Sequence, residues 1–270
     1  FFKQKTAYEI STRDWSSDVC SSDLGIGGFA LAAKWNGYRT LAFCDNEPYA
    51  QAVLKKHWPD VPCHKDIREV RGELYAGVTL LTGGFPCQDI SYAKSWTTNG
   101  KFESNGIDGQ RSGLWFEMQR IIKEARPKFV VAENVQALTN QGLDIVLQSL
   151  ADIGYDAEWQ VVPAAMFGAP HLRKRIWIVA YPVCIGREQK SIIFCEEFGK
   201  EIRRASEWES CRTICKDNGK KIMPESFGIY DGLPTKPYRA ERIRGLGNAI
   251  VPQVAAEIIR CINKVMETNK

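Results

Sequence analysis

Val78-Thr79-Leu80-Leu81-Thr82-Gly83-Gly84-Phe85-Pro86-Cys87-Gln88 joins an apolar run to a sharply turning segment that carries a thiol. The run Val78–Leu81 predicts a buried β-strand. The two glycines let the backbone pass close to a ligand, and Pro86 fixes the turn before Cys87. Open α/β sheets bind ligands outside the carboxyl ends of their strands, so the stretch predicts a reactive cysteine at such an edge. A buried structural cysteine is the alternative, and the Gly/Pro-shaped turn favours the reactive one.

A second predicted strand also ends in a functional side chain. The apolar residues 129–132 precede Glu133, so a buried strand is expected to deliver this carboxylate to the same edge as Cys87. Capping of the next helix is the alternative role for Glu133. Further along the chain, Arg173 and Arg175 precede another apolar strand, and an extended backbone would direct both guanidinium groups to one face.

Strand and helix patterns alternate along the chain, which predicts an α/β fold with a mostly parallel sheet. The hydrophobic periods and turn residues give the bounds of the individual elements. Strands are predicted at 38–44, 78–81, 127–135, 155–162 and 176–180, and helices at 30–35, 49–57, 114–125, 143–153 and 254–266.

The bulk composition is that of a soluble globular protein. The chain has 270 residues, of which 44% are hydrophobic and 25% charged, enough for one large domain or two modest ones. Its net charge of +4 permits a polyanionic partner without requiring one. The nine cysteines lack the spacing of zinc ligands, so we expect reduced thiols in the cytoplasm and no metal site. No apolar run approaches the ~20 residues that span a bilayer, and the amino end does not resemble a signal peptide.

The motifs and their order resemble those of the cytosine-5 DNA methyltransferase family, of the bacterial and phage restriction-modification type. The family's Pro-Cys-Gln, Glu-Asn-Val and Arg-x-Arg motifs match at Cys87, Glu133, Arg173 and Arg175, with His171 in place of a glutamine. The resemblance implies the Rossmann-like fold of S-adenosylmethionine-dependent methyltransferases, with a small irregular target-recognition insert. It identifies the four matching residues as catalytic.

The resemblance also implies a binding site for S-adenosylmethionine. The glycine turn at 25–29 resembles the loop that holds the methionine part, Asp45 falls where the family has a ribose-binding glutamate, and Asp66 resembles the adenine-binding aspartate. The implied cofactor-binding residues are Gly25, Gly27, Gly28, Phe29, Asp45, Asn46, Asp66, Ile67, Pro86, Leu114, Asn248 and Ala249. Each of these signals has an ordinary alternative, such as a plain tight turn, a helix-capping carboxylate or a loop aspartate.

The chemistry implied by the resemblance begins when a thiolate adds to C6 of a cytosine flipped out of the DNA helix. Cys87 would supply this thiolate. Glu133, held protonated by burial, would donate to N3, and Arg175 with Arg173 would stabilise charge at O2. The methyl group then passes to C5, a base removes the C5 proton, and Cys87 leaves.

Four regions are expected along the chain. Residues 1–24 resemble a translated sequencing-library adapter and fit neither a strand nor a helix period, so the strand expected before Gly25 is missing or replaced. Residues 25–183 would form the catalytic and cofactor-binding domain. Residues 184–240 would be a short target-recognition region, and residues 241–270 would return to the catalytic domain.

The expected partners are double-stranded DNA and a cognate restriction endonuclease, and the chain is expected to act as a monomer. A relative that methylates tRNA with the same residues is an alternative reading. A DNA-binding relative without turnover, because its first strand is lost, is another. A nicotinamide enzyme, argued from the glycine turn alone, leaves Cys87, Glu133 and the arginine pair unexplained.

Overall fold

One seven-stranded sheet organises the part of the chain that the structure describes. The computed structural model describes residues 18–22, 26–85, 114–140, 142–169, 171–183, 193–194, 198 and 249–268. The strands are β1 (Asp18–Ser22), β2 (Arg39–Cys44), β3 (Cys63–His64), β4 (Leu80–Gly84), β5 (Phe129–Val135), β6 (Tyr155–Pro163) and β7 (Lys174–Pro182). The helices are α1 (Gly28–Trp35), α2 (Pro48–His57), α3 (Leu114–Ala125), α4 (Leu143–Asp152) and α5 (Pro252–Thr268).

The strand order β3-β2-β1-β4-β5-β7-β6 confirms the predicted α/β fold with a mostly parallel sheet. The first five strands in this order pair in parallel, whereas β7 runs antiparallel to both β5 and β6. Gly84 at the end of β4 lies in register with Glu133 near the end of β5. The segments leading to the two predicted reactive groups therefore leave the sheet side by side. We call this side, at the carboxyl ends of β2, β4 and β5, the carboxyl edge.

The central strand β1 comes from the adapter-like segment. Residues 18–22 pair with β2 on one side and β4 on the other, although their sequence has no strand period. The expectation of no regular structure is therefore wrong for these five residues, and a strand does precede Gly25. The physical reason is that the hydrogen bonds between strands use backbone N–H and C=O groups. A segment of almost any sequence that adopts an extended backbone can therefore pair with the strands on either side.

Helices cover both faces of the sheet and close two hydrophobic clusters. Alternate residues of each strand point to opposite faces, so Val131 packs toward α1 and α5 while Val130 packs toward α3 and α4. The last helix is joined to the first by polar contacts as well, since Asn36 Nδ2 donates to the carbonyl of Ala256 at 3.0 Å. Within the described ranges, no helix combines the length and the apolar character that crossing a membrane requires.

Candidate active site

Glu133 lies buried near the end of β5, between Gly84 of β4 and Trp177 of β7. Arg175 enters β7 opposite Val135, and its Nε lies 2.9 Å from Glu133 Oε1. The two side chains therefore form an ion pair. A buried carboxyl group and a partly buried guanidinium therefore meet at the carboxyl edge.

The pKa of Glu133 is raised to about 7 by its burial, which disfavours the charged form. The positive charges of Arg175 and Arg173 oppose this shift without cancelling it. A carboxyl group with such a pKa holds a proton for part of the time at neutral pH. It is suited to donating a hydrogen bond or a proton to a ligand that enters the site.

Arg173 reaches the same neighbourhood by a different route from the predicted one. Its backbone φ is +28°, and β7 begins only at the next residue, Lys174. The premise that an extended chain carries both arginines is therefore wrong at Arg173. Instead, Arg173 Nη2 donates to the carbonyl of Ala249 at 2.5 Å, which ties the entry of β7 to the chain that leads into α5. Burial, and then the like charge of Arg175, lower the pKa of Arg173.

Asn134 is a site residue for which the sequence predicted no role. Its Nδ2 donates to the carbonyl of Phe85 at 2.8 Å, inside the protein, and the Phe85 ring packs on Trp115 with their centroids 4.7 Å apart. The last described residue before Pro86 and Cys87 is thus held from two sides. The sequence feature that could have indicated this role is a polar residue directly after Glu133 in an otherwise apolar strand.

Replacing Asn134 by alanine is expected to lower the free energy of unfolding by about 1–3 kcal/mol, because the buried Phe85 carbonyl loses its donor. Urea unfolding followed by circular dichroism measures the change. Thr139→Ala is the matched control, since it removes a side-chain hydrogen bond to a backbone carbonyl at an exposed position and should cost less than about 0.5 kcal/mol. Equal losses in both variants would contradict the role assigned to Asn134.

The glycine turn before α1 is closely packed by other parts of the chain. Gly27 has a φ of +86°, and a Cβ there would lie 2.6 Å from the Trp58 ring. A Cβ on Gly28 would lie 2.6 Å from Cγ1 of Ile250, two residues before the start of α5. Phe29 is fully buried and stands edge-on to Trp177, with centroids 5.7 Å apart. Phe29 is therefore a core residue here, and the expectation that it contacts a cofactor is corrected.

The two predicted cofactor acids both cap local structure. Asp45, buried at the end of β2, accepts the N–H of Glu47 at 2.8 Å. Asp66 accepts the N–H of Arg68 at 2.9 Å. Asp45 thus closes a turn just before α2, whose N-cap is Glu47, and Asp66 caps the short 3-10 turn 67–69. A carboxylate at the end of the second strand is also suited to ribose hydroxyls.

The remaining predicted cofactor residues divide into two groups. Asn46 is exposed, whereas Ile67, Leu114 and Ala249 are half-buried. Gly25, Pro86 and Asn248 lie outside the described residues, as does the predicted catalytic Cys87. The structure therefore brings together Glu133, Arg175 and Arg173 near the strand end that precedes Cys87.

Comparison with known proteins gives a family match and several relatives. The family model described as C-5 cytosine-specific DNA methylase matches residues 22–192. Type II methyltransferase M2.BsuMI of Bacillus subtilis is 35% identical over 187 residues, which cover 66% of this chain and 45% of that protein. Type II methyltransferase M.PspPI of Psychrobacter is 38% identical over 162 residues, which cover 57% of this chain and 37% of that protein. The chain spans less than half the length of these two relatives.

A solved structure supports the fold. A variant of Spodoptera frugiperda DNMT2 superposes with a TM-score of 0.51 at 19% sequence identity, covering 64% of this chain and 52% of that one. At this identity the likeness concerns the fold alone. The family match begins at Ser22, the last residue of β1, close to where the adapter-like segment ends.

Proposed function

Because the chain belongs to the C-5 cytosine-specific DNA methylase family, we propose that it transfers a methyl group from S-adenosylmethionine to C5 of a cytosine in double-stranded DNA. The observation that carries this proposal is the environment of Glu133. Its carboxyl group is buried beside the strand that leads to Cys87 and forms an ion pair with Arg175. Its pKa of about 7 lets it hold a proton at neutral pH, as donation to the ring N3 requires.

In the proposed reaction, the thiolate of Cys87 forms a bond to C6 of a cytosine that has left the DNA helix. The electron pair of the C5–C6 double bond moves toward N3 and O2, and Glu133 donates its proton to N3. Arg175, which is ion-paired with Glu133, and Arg173 would stabilise the negative charge that builds at O2. S-adenosylmethionine, when bound, supplies an electrophilic methyl group. A base then takes the C5 proton, the N3 proton returns to Glu133, and departure of the Cys87 thiolate restores the aromatic ring with its new methyl group.

The cofactor would lie at the carboxyl edge, next to the start of α1. The residues present fit this group, because Asp45 offers a buried carboxylate to ribose hydroxyls and the Gly27–Gly28 turn opens a helix. Asp66 and Ile67 would face the adenine. Asn46, Leu114 and Ala249, together with Gly25, Pro86 and Asn248, complete the proposed set, from which Phe29 is left out.

The proposal extends to the biological setting. The relatives are named Type II methyltransferases, so a cognate restriction endonuclease is the partner proposed for this chain. We propose that the chain acts as a monomer in the cytoplasm. The residues proposed to read the target DNA lie in 184–240, most of which falls outside the described ranges.

Covalent trapping on DNA that contains 5-fluorocytosine tests the proposed function. Fluorine at C5 cannot leave as a proton does, so the adduct with Cys87 persists after methyl transfer. We expect a protein–DNA adduct that survives denaturing electrophoresis, forms only when S-adenosylmethionine is present and disappears in Cys87→Ser. An adduct on 5-fluorocytosine-containing tRNA but not on DNA would favour the tRNA alternative. Absence of an adduct on both nucleic acids would overturn the proposed activity.

A further inference from the structure

Arg120, near the middle of α3, forms hydrogen bonds to the segment 66–72, which follows β3. Its Nη2 donates to the carbonyl of Ile67 at 3.0 Å, and its Nη1 donates to the carbonyl of Val70 at 3.0 Å. One guanidinium thus spans two backbone carbonyls three residues apart, which lie 53 and 50 residues away in the chain. Ile67 directly follows Asp66, and both belong to the proposed cofactor set.

Two glutamates of the same helix fix the guanidinium of Arg120. Its Nε donates to Glu117 Oε2 at 2.8 Å, and its Nη1 donates to Glu124 Oε1 and Oε2, each at 2.9 Å. Glu124 Oε2 also accepts the N–H of Gly72 at 2.7 Å, so the segment 66–72 is bonded to α3 at a third point. Partial burial alone would raise the pKa of Glu124, yet hydrogen bonds from Arg120 and Gly72 lower it and keep the carboxylate charged.

The first turn of α3 contacts the other side of the proposed site. Trp115 packs on Phe85, which precedes Pro86 and Cys87. Its indole Nε1 donates to Ser149 Oγ at 2.8 Å, which fixes α3 against α4. A single rigid helix therefore touches both the strand end leading to the thiol and the segment carrying Asp66.

We propose that Arg120 is a positioning residue that holds Asp66 and Ile67 in place to bind the adenine of S-adenosylmethionine. The inference rests on the proposed function and deepens it. Arg120 bonds the backbone of this segment through both Nη atoms of its guanidinium. Its loss should weaken cofactor binding more than it slows the reaction once cofactor is saturating, because Arg120 itself has no contact with Glu133 among the contacts described.

Calorimetric binding of S-adenosylhomocysteine to the full chain tests this proposal, with the trapping reaction as a second readout. Two charge-assisted hydrogen bonds are at stake, so Arg120→Ala should weaken binding by about 10- to 100-fold. Arg120→Lys keeps the charge but cannot span both carbonyls, and it should recover only a small part of the affinity. The KM for S-adenosylmethionine should rise in parallel, while the trapping rate at saturating cofactor stays within about twofold of the unmodified chain.

Arg126→Ala is the matched control. Arg126 also donates to a backbone carbonyl, that of Ile153 at 2.6 Å, but it has no described contact with residues 66–72. Its replacement should leave cofactor affinity unchanged. If Arg120→Ala does not fold, as judged by circular dichroism, the comparison of Arg120→Lys with Arg126→Ala decides the question.

Three results would overturn the inference, and the third is distinguishable from the other two. Unchanged cofactor affinity in both Arg120 variants, with normal binding by the unmodified chain, would show that Arg120 only stabilises the fold. A fall in the saturated trapping rate as large as the fall in affinity would lead to the same conclusion. Failure of the unmodified chain to bind S-adenosylhomocysteine would overturn the proposed function, and the role of Arg120 with it.

Discussion

Replacing Glu133 by glutamine is expected to slow methyl transfer by about 10²- to 10⁴-fold, the range in which a positioned acid or base contributes. Glutamine keeps the shape of the side chain and can hydrogen-bond to N3, but it has no proton to transfer. It also removes the negative partner of Arg175, whose Nε lies 2.9 Å from the carboxylate. Single-turnover methylation at saturating cofactor measures the change. A loss of less than about threefold would contradict the proposed role of Glu133 as acid.

The pH dependence separates this chemical role from a structural one. Since burial raises the pKa of Glu133 to about 7, the protonated form required for donation is lost as pH rises through that value. The rate of the unmodified chain should therefore fall above about pH 7, against the opposing rise from ionisation of the Cys87 thiol. In Glu133→Gln the falling part near neutral pH should vanish, leaving only the rise.

The same pKa shift predicts a dependence of stability on pH. In the folded chain Glu133 binds its proton more tightly than in the unfolded chain, so its contribution to stability is fully present below about pH 4.5. This contribution, about 3 kcal/mol, is lost as pH rises to about 7. Urea unfolding at several pH values, compared between the unmodified chain and Glu133→Gln, measures it. Asp152→Asn, which alters an exposed carboxylate, serves as the control.

Replacing Cys20 by proline is expected to lower the urea midpoint of unfolding strongly. Cys20 pairs with Ala42 of β2 and with Leu81 of β4, so β1 has hydrogen-bonded neighbours on both sides. Proline lacks the N–H that a ladder needs and is found almost only in edge strands or at bulges. The register to β2 shifts between Val19 and Cys20, but the ladder to β4 is regular through Cys20. The lost hydrogen bond leaves a backbone carbonyl of a neighbouring strand without its donor, at a cost of about 1–3 kcal/mol, against the roughly 5–15 kcal/mol that stabilises a typical protein.

Cys20→Val is the control for this experiment, because valine retains the N–H and is favoured in strands. It should leave the urea midpoint, measured by circular dichroism, close to that of the unmodified chain. An unchanged midpoint in Cys20→Pro would mean that residues 18–22 do not form the centre of the sheet. The experiment thereby tests whether an adapter-like segment can serve as a strand.

Much of the fold was predictable because the hydrophobic periods are strong. The helix predicted at 143–153 spans Leu143–Asp152, and the strand predicted at 155–162 spans Tyr155–Pro163. The nearness of Glu133 to the strand before Cys87 followed from strand ends sharing one edge. β1 was not predictable from its own residues, since its place depends on backbone groups of the strands on either side.

Parts of the site depend on contacts between distant segments, which no local pattern encodes. The left-handed backbone of Arg173 accompanies a hydrogen bond to Ala249, 76 residues away in the chain. The role of Asn134 needs the carbonyl of Phe85 on another strand. The burial of Phe29 against Trp177 likewise corrects an assignment that followed from its place in a glycine-rich motif.

Because β7 runs antiparallel to β5, it adds side chains of a second kind to the carboxyl edge. Parallel strands contribute to this edge only the side chains at their carboxyl ends, as β5 does with Glu133. A strand that arrives there instead contributes the residues of its entry, as β7 does with Arg175. The antiparallel pairing of β7 with β5 thus places the guanidinium of Arg175 beside the carboxyl group of Glu133. No long connecting loop is needed to bring the two charges together.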